Sequence, residues 1–408
     1  MPEHKKGVVP RLRFPEFRNT GPWEEKRLGE ICDVLQGYGF PEKFQGKKNG
    51  KYPFCKVSDI TYAVNKTGGA IARAENYVDD EDIEALRARL VPIGATVFAK
   101  IGEALRLNKR ALVSVECLID NNVVGLRGRD NQTKDRFVFY LSQKIDLNEY
   151  CGGAVPAVNK STLESIKLFV PEIEEQQKIA DCLSSLDEVI ELEVQKLEAL
   201  KAHKKGLMQQ LFPREGETTP RLRFPEFRNA GEWEVKKIVD IFRVTRGEVL
   251  SMKLVSESYS TETPYPVYSS QTKNNGLSGY YSDYLYEDAI TWTTDGANAG
   301  DVKYRKGKFY CTNVCGVLIS EDGYANSFVA ELLNTVTKKH VSYVGNPKLM
   351  NGVMAQIQIP FPQIKEQQKI ADCLSSLDRV IELEAQKLEA LKTHKKGLLQ
   401  QLFPQEVD

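Results

Sequence analysis

Pro171-Glu-Ile-Glu-Glu-Gln-Gln-Lys-Ile-Ala-Asp-Cys-Leu-Ser-Ser-Leu-Asp187 opens a stretch that runs to Pro213 and returns, with six substitutions, between Pro362 and Pro404. From about Glu172 to Gln210 strong helix formers dominate, no Gly or Pro intervenes before Gly206, and the flanking prolines mark start and stop. The spacing predicts one long helix in each copy, roughly 55 to 60 Å at about 1.5 Å per residue. That exceeds any single small domain it could lie on. Ile179, Leu183, Leu186, Ile190, Leu197, Leu200, Leu207 and Leu211 keep a seven-residue period once Glu193 and Lys204 are admitted to the seam. A helix resting on its own domain's core shows a similar stripe, and the two seam charges favour a coiled coil over it. Paired antiparallel about a central axis, the copies set Glu193 opposite Lys395 and Lys204 opposite Glu384, with apolar layers such as Leu197 on Leu391 and Ile190 on Leu398. A parallel pairing stacks Glu193 on Glu384 and Lys204 on Lys395. The expectation is an intramolecular antiparallel coiled coil whose register is fixed by Glu193, Lys204, Glu384 and Lys395.

A second repeat extends this organisation to the whole chain. Pro10-Arg-Leu-Arg-Phe-Pro-Glu-Phe-Arg-Asn19 recurs letter for letter at 220–229, and Trp23 to Ile31 has a looser echo in Trp233 to Ile241. Between the repeated blocks the halves diverge, yet Asn122-Val-Val-Gly-Leu126 aligns with Asn313-Val-Cys-Gly-Val317, and Pro156 with Pro347. Two domains of one fold with different surfaces are implied. The chain therefore divides into a first variable domain (1–170), a helix (171–213), a second variable domain (214–361) and a second helix (362–408), with pseudo-two-fold symmetry. Short β-branched and aromatic runs such as Ala95-Thr-Val-Phe-Ala-Lys100 and Ala289-Ile-Thr-Trp-Thr-Thr294, bounded by Gly, Asn and Asp, read as strands. Helical patches at 81–90, 135–144 and 327–335 make each variable domain mixed, and the fold class α+β.

The 56 basic and 56 acidic residues cancel, so any nucleic-acid contact has to come from local patches. One candidate is the polar loop Tyr268-Ser269-Ser270-Gln271-Thr272-Lys273-Asn274-Asn275-Gly276, whose amides and lysine suit base edges as well as phosphates; a solvated turn has the same composition. Arg246, Asn298 and Lys303 join it in the second domain, with Arg305, Lys306 and Lys308 in the same basic cluster. In the first domain Lys43, Lys47, Lys48, Lys51, Lys56, Ser58, Lys100, Arg106 and Lys109, with Arg110 beside the last, are the basic and polar counterparts, though such loops are commonly plain solvated surface.

Chemistry is harder to find. Gly46-Lys-Lys-Asn-Gly-Lys51 lacks the spacing of a phosphate loop and its following Ser or Thr. Asn346-Pro-Lys departs from an amino-methyltransferase Asn/Asp-Pro-Pro-aromatic stretch at its third residue. Cys311 and Cys315 have no second Cys or His pair near enough in sequence for a tetrahedral metal site. His203 and His394 occupy one repeat position on a lysine-rich helical turn, which fits surface better than acid–base work. No catalytic residue, metal or cofactor on this chain is expected. Nor are disulfides, since Cys182 and Cys373 read as small buried residues on apolar helical faces. No run approaches the roughly 18 apolar residues of a membrane span, and Met1-Pro-Glu-His-Lys-Lys lacks a signal core, which places the chain in the cytoplasm with no membrane partner.

The opening Arg-Leu-Arg-Phe-Pro-Glu-Phe with its following Trp-Glu, the Pro-x-x-x-Glu-Gln-Gln-Lys-Ile helix start, and the order variable domain, helix, variable domain, helix together resemble the specificity subunits of type I restriction-modification systems over the whole chain. The resemblance implies that each variable domain is a target-recognition domain reading one half of a split double-stranded DNA site, with the helices setting the unspecified gap. It also implies two modification subunits carrying S-adenosylmethionine, which methylate adenine, and two restriction subunits using ATP and Mg2+. The family has no strict motif for base contacts, so the residues named above rest on composition and position. The alternative from another class is a non-catalytic coiled-coil scaffold whose heads bind proteins; a self-sufficient methyltransferase or nuclease would need motifs that the sequence lacks.

Overall fold

The structure, a computed structural model, describes residues 7–66, 68–152, 155–270 and 273–404, the side chains of Lys43 and Lys273 excepted. It divides into two compact units, residues 1–195 with 386–408, and residues 196–385. These bounds cut through both long helices. The first, Ile173–Leu211, gives its residues 173–195 to the first unit and 196–211 to the second; the other, Ile364–Leu402, gives 364–385 to the second unit and 386–402 to the first.

In the first unit the strand Trp23–Arg27 lies antiparallel to Lys167–Val170, so the variable segment leaves beside the point where it enters. The chief sheet runs in the order Cys32–Gln36, Val123–Gly128, Thr96–Ala99, Ala111–Val113, Ala70–Ile71. Its central strands are buried residue after residue, as alternation predicts only for strands covered on both faces. The second unit repeats this plan: Glu234–Lys237 pairs with Gln358–Phe361, and its sheet starts Arg243–Arg246, Cys315–Ile319, Tyr286–Thr293, Val302–Cys311 before continuing to Tyr265–Tyr268 and Leu277–Tyr281. The aligned motifs around Gly125 and Gly316 thus occupy equivalent strands, next to the sheet edge. Gly316 is required where it stands, because a Cβ there would come within 2.1 Å of the Trp292 ring. The helical patches appear as Asp80–Leu86, Asp135–Ser142 and Ser327–Val336, the last capped by Asn326, whose side chain accepts from Val329 N–H at 3.0 Å.

Each core is closed by the start of one long helix and the end of the other. Trp23, Phe137, Ile179, Leu183 and Phe403 share the first core; Trp233, Phe328, Phe212, Ile370 and Leu374 share the second. The repeated opening segment docks on the same places: Leu12 N–H donates to Gln401 O, and Leu222 N–H to Gln210 O, at 3.0 and 2.9 Å. It also explains why the two repeated motifs occur together. Arg13 forms a two-pronged ion pair with Glu175 at 2.7–2.8 Å, with side chains 6% and 2% exposed, while its other N–H groups donate to the carbonyls of Thr20 and Gly21. Arg223 and Glu366 repeat the pair at 2.6–2.7 Å. Gln176 and Gln367 are buried beside them, each donating to the carbonyl of the proline before its helix at 2.9 Å. Lys178 meets Glu16, and Lys369 meets Glu226, at the rim. The opening segment and the helix start are therefore two halves of one clamp.

Within each unit the two long helices run in opposite directions. Asp187 pairs with Lys395 and Glu193 with Lys387 in the first; Lys196 pairs with Glu384 and Lys204 with Asp378 in the second. The expected register is corrected by about one heptad, since Glu193 faces Lys387 rather than Lys395, and Lys204 faces Asp378 rather than Glu384. The cause lies outside the helices. Lys395 also sits 5.5 Å over the Tyr140 ring, whose hydroxyl donates to Asp187 at 2.7 Å, and Lys204 also reaches Glu331 at 3.5 Å. Tyr140 and Glu331 come from the equivalent helices Asp135–Ser142 and Ser327–Val336, so contacts to the heads set the pairing. Burial and the Asp187 carboxylate push the Tyr140 hydroxyl well above its ordinary range, which keeps it a donor. Cys182 and Cys373 are half-buried, not buried as expected, because they flank the packed stripe.

Candidate nucleic-acid interface

The second unit gathers several of the expected residues around one cleft. Tyr268 ends the strand Tyr265–Tyr268 and Ser269 follows it; Ser269 N–H donates to Gly276 O at 2.9 Å, and Thr312 donates through its backbone to Tyr268 O and through its hydroxyl to Ser269 Oγ. These bonds tie the polar loop back to the sheet. Asn274 and Asn275 take left-handed conformations (φ 50° and 55°), tolerated best by Asn and Gly, and both are exposed. Ser269 and Asn275 then line a cleft of about 190 Å³ with Thr291, Asp301, Lys303 and Arg305. Arg305 stacks 3.8 Å over the Tyr268 ring centroid and its Nε donates to Thr291 Oγ1 at 3.1 Å. Its floor is firm: Thr291 and Trp292 are buried, and the indole N–H donates to Leu349 O at 3.0 Å.

Other expected residues of this unit stand apart. Asn298 is half-buried and its carbonyl accepts from Asp301 N–H, one turn from the cleft. Arg246 is exposed at the end of its strand, with its carbonyl holding the Tyr286 hydroxyl. Ser270 is half-buried at the loop, and Lys273 opens the turn Lys273–Gly276. Gln271 and Thr272 lie outside the described residues.

In the first unit the expected residues scatter. Lys47 pairs with Asp79 and Asp82, and Lys51 with Asp80 at 2.8 Å. These carboxylates cluster at the start of the helix Asp80–Leu86, where the helix dipole favours them. Lys47 holds the Asp79 carboxyl, and Lys51 the Asp80 carboxyl, below the usual carboxylate range. Two lysines thus meet acidic partners within the unit. Lys56 lies 4.7 Å over Phe40, itself stacked on Phe54; Lys48 and Ser58 are exposed; Lys43 is in the turn Glu42–Phe44. Lys100 donates to Gln36 Oε1 at 2.8 Å, Lys109 to Asn65 Oδ1 at 3.4 Å, and Arg106 lies 3.6 Å from Glu103. Arg110 is buried, over the Phe98 ring, and donates to the Ile145 carbonyl and Asn108, so it serves the core.

Sequence reasoning grouped Arg305 with neighbouring lysines and missed Thr291. The available signal was strand alternation, which puts Lys303 and Arg305 on one face of Val302–Cys311. Cys311 and Cys315 are buried, and burial raises both thiols, Cys315 to about 11. Among the described residues no group of three or more His, Cys, Asp or Glu is placed to hold a metal ion, and no helix is long and apolar enough to cross a membrane.

A sequence model of the type I restriction modification DNA specificity domain matches residues 20–202 and again 230–393. A protein named as a type I restriction enzyme specificity subunit from Methanocaldococcus jannaschii is 25% identical over 410 residues, covering 93% of this chain and 92% of that one. One named as a type I specificity subunit N-terminus from Mycoplasma pneumoniae is 45% identical over 143 residues, 34% of this chain and 75% of its own. Another relative from that organism is matched over about half its length, 49%. The crystal structure of a type I restriction-modification S subunit from M. genitalium superposes with a TM-score of 0.67 at 16% identity, covering 98% of this chain and 100% of that one, a likeness of fold.

Proposed function

Because the chain belongs to the type I restriction-modification DNA specificity family, we propose that it is the non-catalytic, sequence-reading subunit of such an enzyme. Each unit reads one half of a bipartite double-stranded site, and the long helices pair as an antiparallel coiled coil that sets the gap and docks two modification subunits. The observation that carries this is one order of four sheet strands and one clamp used twice beneath different surfaces. A pseudo-two-fold chain addresses a duplex as a symmetric dimer does, while unlike heads let it read unlike half-sites. The second unit's polar cleft, with Lys303 and Asn275 at its rim, supports base reading there. On the helices Leu192 and Leu383, at equivalent positions, are 64% and 58% exposed beside Val189 and Val380, which suits apolar contact with partner helices.

The chemistry belongs to the partners. Modification subunits would carry S-adenosylmethionine and take the target adenine out of the stack; restriction subunits would bring ATP and Mg2+. The complex would work in the cytoplasm. The test is to co-express the chain with a cognate modification subunit in a methylation-free host and map modified adenines. A split motif with a fixed gap is expected. An assembled, cofactor-binding complex that modifies no adenine would overturn this reading in favour of a protein scaffold.

A further inference from the structure

We propose that Arg305 is a specificity-determining residue of the second unit, reading the O6/N7 edge of one guanine with Tyr268 as its backing plate. This rests on the reading that the unit recognises DNA sequence, and adds which residue reads and which base.

Arg305 differs from several other arginines of the protein in its surroundings. Arg13 and Arg223 each face a glutamate, Arg127 faces Asp135 and Arg129 faces Asp33. Among the described residues no carboxylate stands within ion-pair distance of Arg305, although it is half-buried and desolvation pulls its pKa down. A guanidinium removed from water without a counter-charge is costly. Its held geometry is nevertheless well defined: the face rests on Tyr268 and Nε is tied to Thr291, itself buried in the strand Tyr286–Thr293. That leaves the in-plane N–H groups at the cleft, a rigid fork matched to two coplanar acceptors.

DNA offers such acceptors on phosphates and on guanine. Asp301 lines the same cleft beside Lys303, its carboxylate shared with Lys338 at 2.6 Å; an acceptor standing next to the fork suits a base pair, whose major-groove edge carries donors beside acceptors, better than a phosphate, which offers acceptors alone. Half-buried Ser269 and exposed Asn275 line the same cleft and add further donor and acceptor groups of that kind. The equivalent position in the first unit is Ser114, on the 191-residue offset that aligns Asn122 with Asn313, so the fork is particular to one head, as a specificity determinant should be.

The test uses the complex with its modification subunit. Methylation mapping of the native complex comes first; absence of a split motif overturns the proposed function, and this assignment with it. Given a motif, Arg305→Gln should relax one G·C position in one half-site by about tenfold or more, leaving the other half and the gap unchanged. Equal slowing at every site would identify a phosphate or structural contact and overturn the assignment, as would an unaltered motif. Because a variant can fail to assemble, the native complex is also offered duplexes with 7-deazaguanine at each guanine of that half-site. About tenfold weaker binding is expected at one position; equal binding at all of them refutes the guanine contact.

Discussion

Removing Glu175 tests the clamp between the opening segment and the first long helix. In Glu175→Leu the Arg13 guanidinium keeps its bonds to Thr20 and Gly21 but loses the carboxylate that answers its charge in a site where both side chains are almost fully buried. Breaking one side of such a buried pair costs about 3–5 kcal/mol. For a unit of this size each kcal/mol moves the midpoint by about 2–4 °C, so the first unit should melt roughly 6–20 °C lower. Differential scanning calorimetry of the purified chain, with amide hydrogen exchange to locate the loss, reads this directly. Arg13→Met combined with Glu175→Leu should recover most of the loss, because an apolar pair of similar volume avoids the desolvation that the ions incur. A single variant as mild as an exposed ion pair, or a double variant no better than the single, would refute the reasoning.

Three further outcomes follow from particular contacts. Glu193→Lys should lower stability by about 1 kcal/mol and be rescued by Lys387→Glu, not by Lys395→Glu, in urea unfolding; the reverse pattern would restore the register read from sequence alone. Gly316→Ala drives a methyl into the Trp292 ring and should cost about 1–3 kcal/mol, with loss of near-ultraviolet tryptophan dichroism; a neutral result would mean that Trp292 lies elsewhere. The Glu16 and Glu226 carboxyls are held below their ordinary range by their own backbone N–H first and by Lys178 and Lys369 next. A lowered folded-state pKa contributes stability above the unfolded value of about 4.3 that is lost as pH falls through the folded one. Glu16→Gln with Glu226→Gln should therefore flatten the acid limb of the stability profile below about pH 5, and an unchanged limb would contradict this.

The repeats made much of this architecture legible. The long helices, the paired heads and the equivalent strands around Gly125 and Gly316 follow from self-comparison and periodicity, because a repeated core needs repeated letters. What escaped was set by contacts between distant segments. Lys395 and Lys204 were placed by helix symmetry, but Tyr140 and Glu331 draw them onto Asp187 and Asp378. The lysines at 47 and 51 looked like phosphate ligands because Asp79 and Asp80 lie some 30 positions on, and Arg305 looked like one cation among four because composition does not show what a side chain is stacked on. Arg13 and Glu175 were both quoted as motif letters, yet their partnership across 162 positions is visible only in the fold.

On the proposed function each unit reads one half-site. The most direct measurement of this exchanges residues 10–170 for the corresponding segment of another such subunit, assembles the chimera with the same modification subunit, and maps methylated adenines. One half of the motif should change while the other half and the gap persist. An unchanged motif, or one altered in both halves at once, would contradict it.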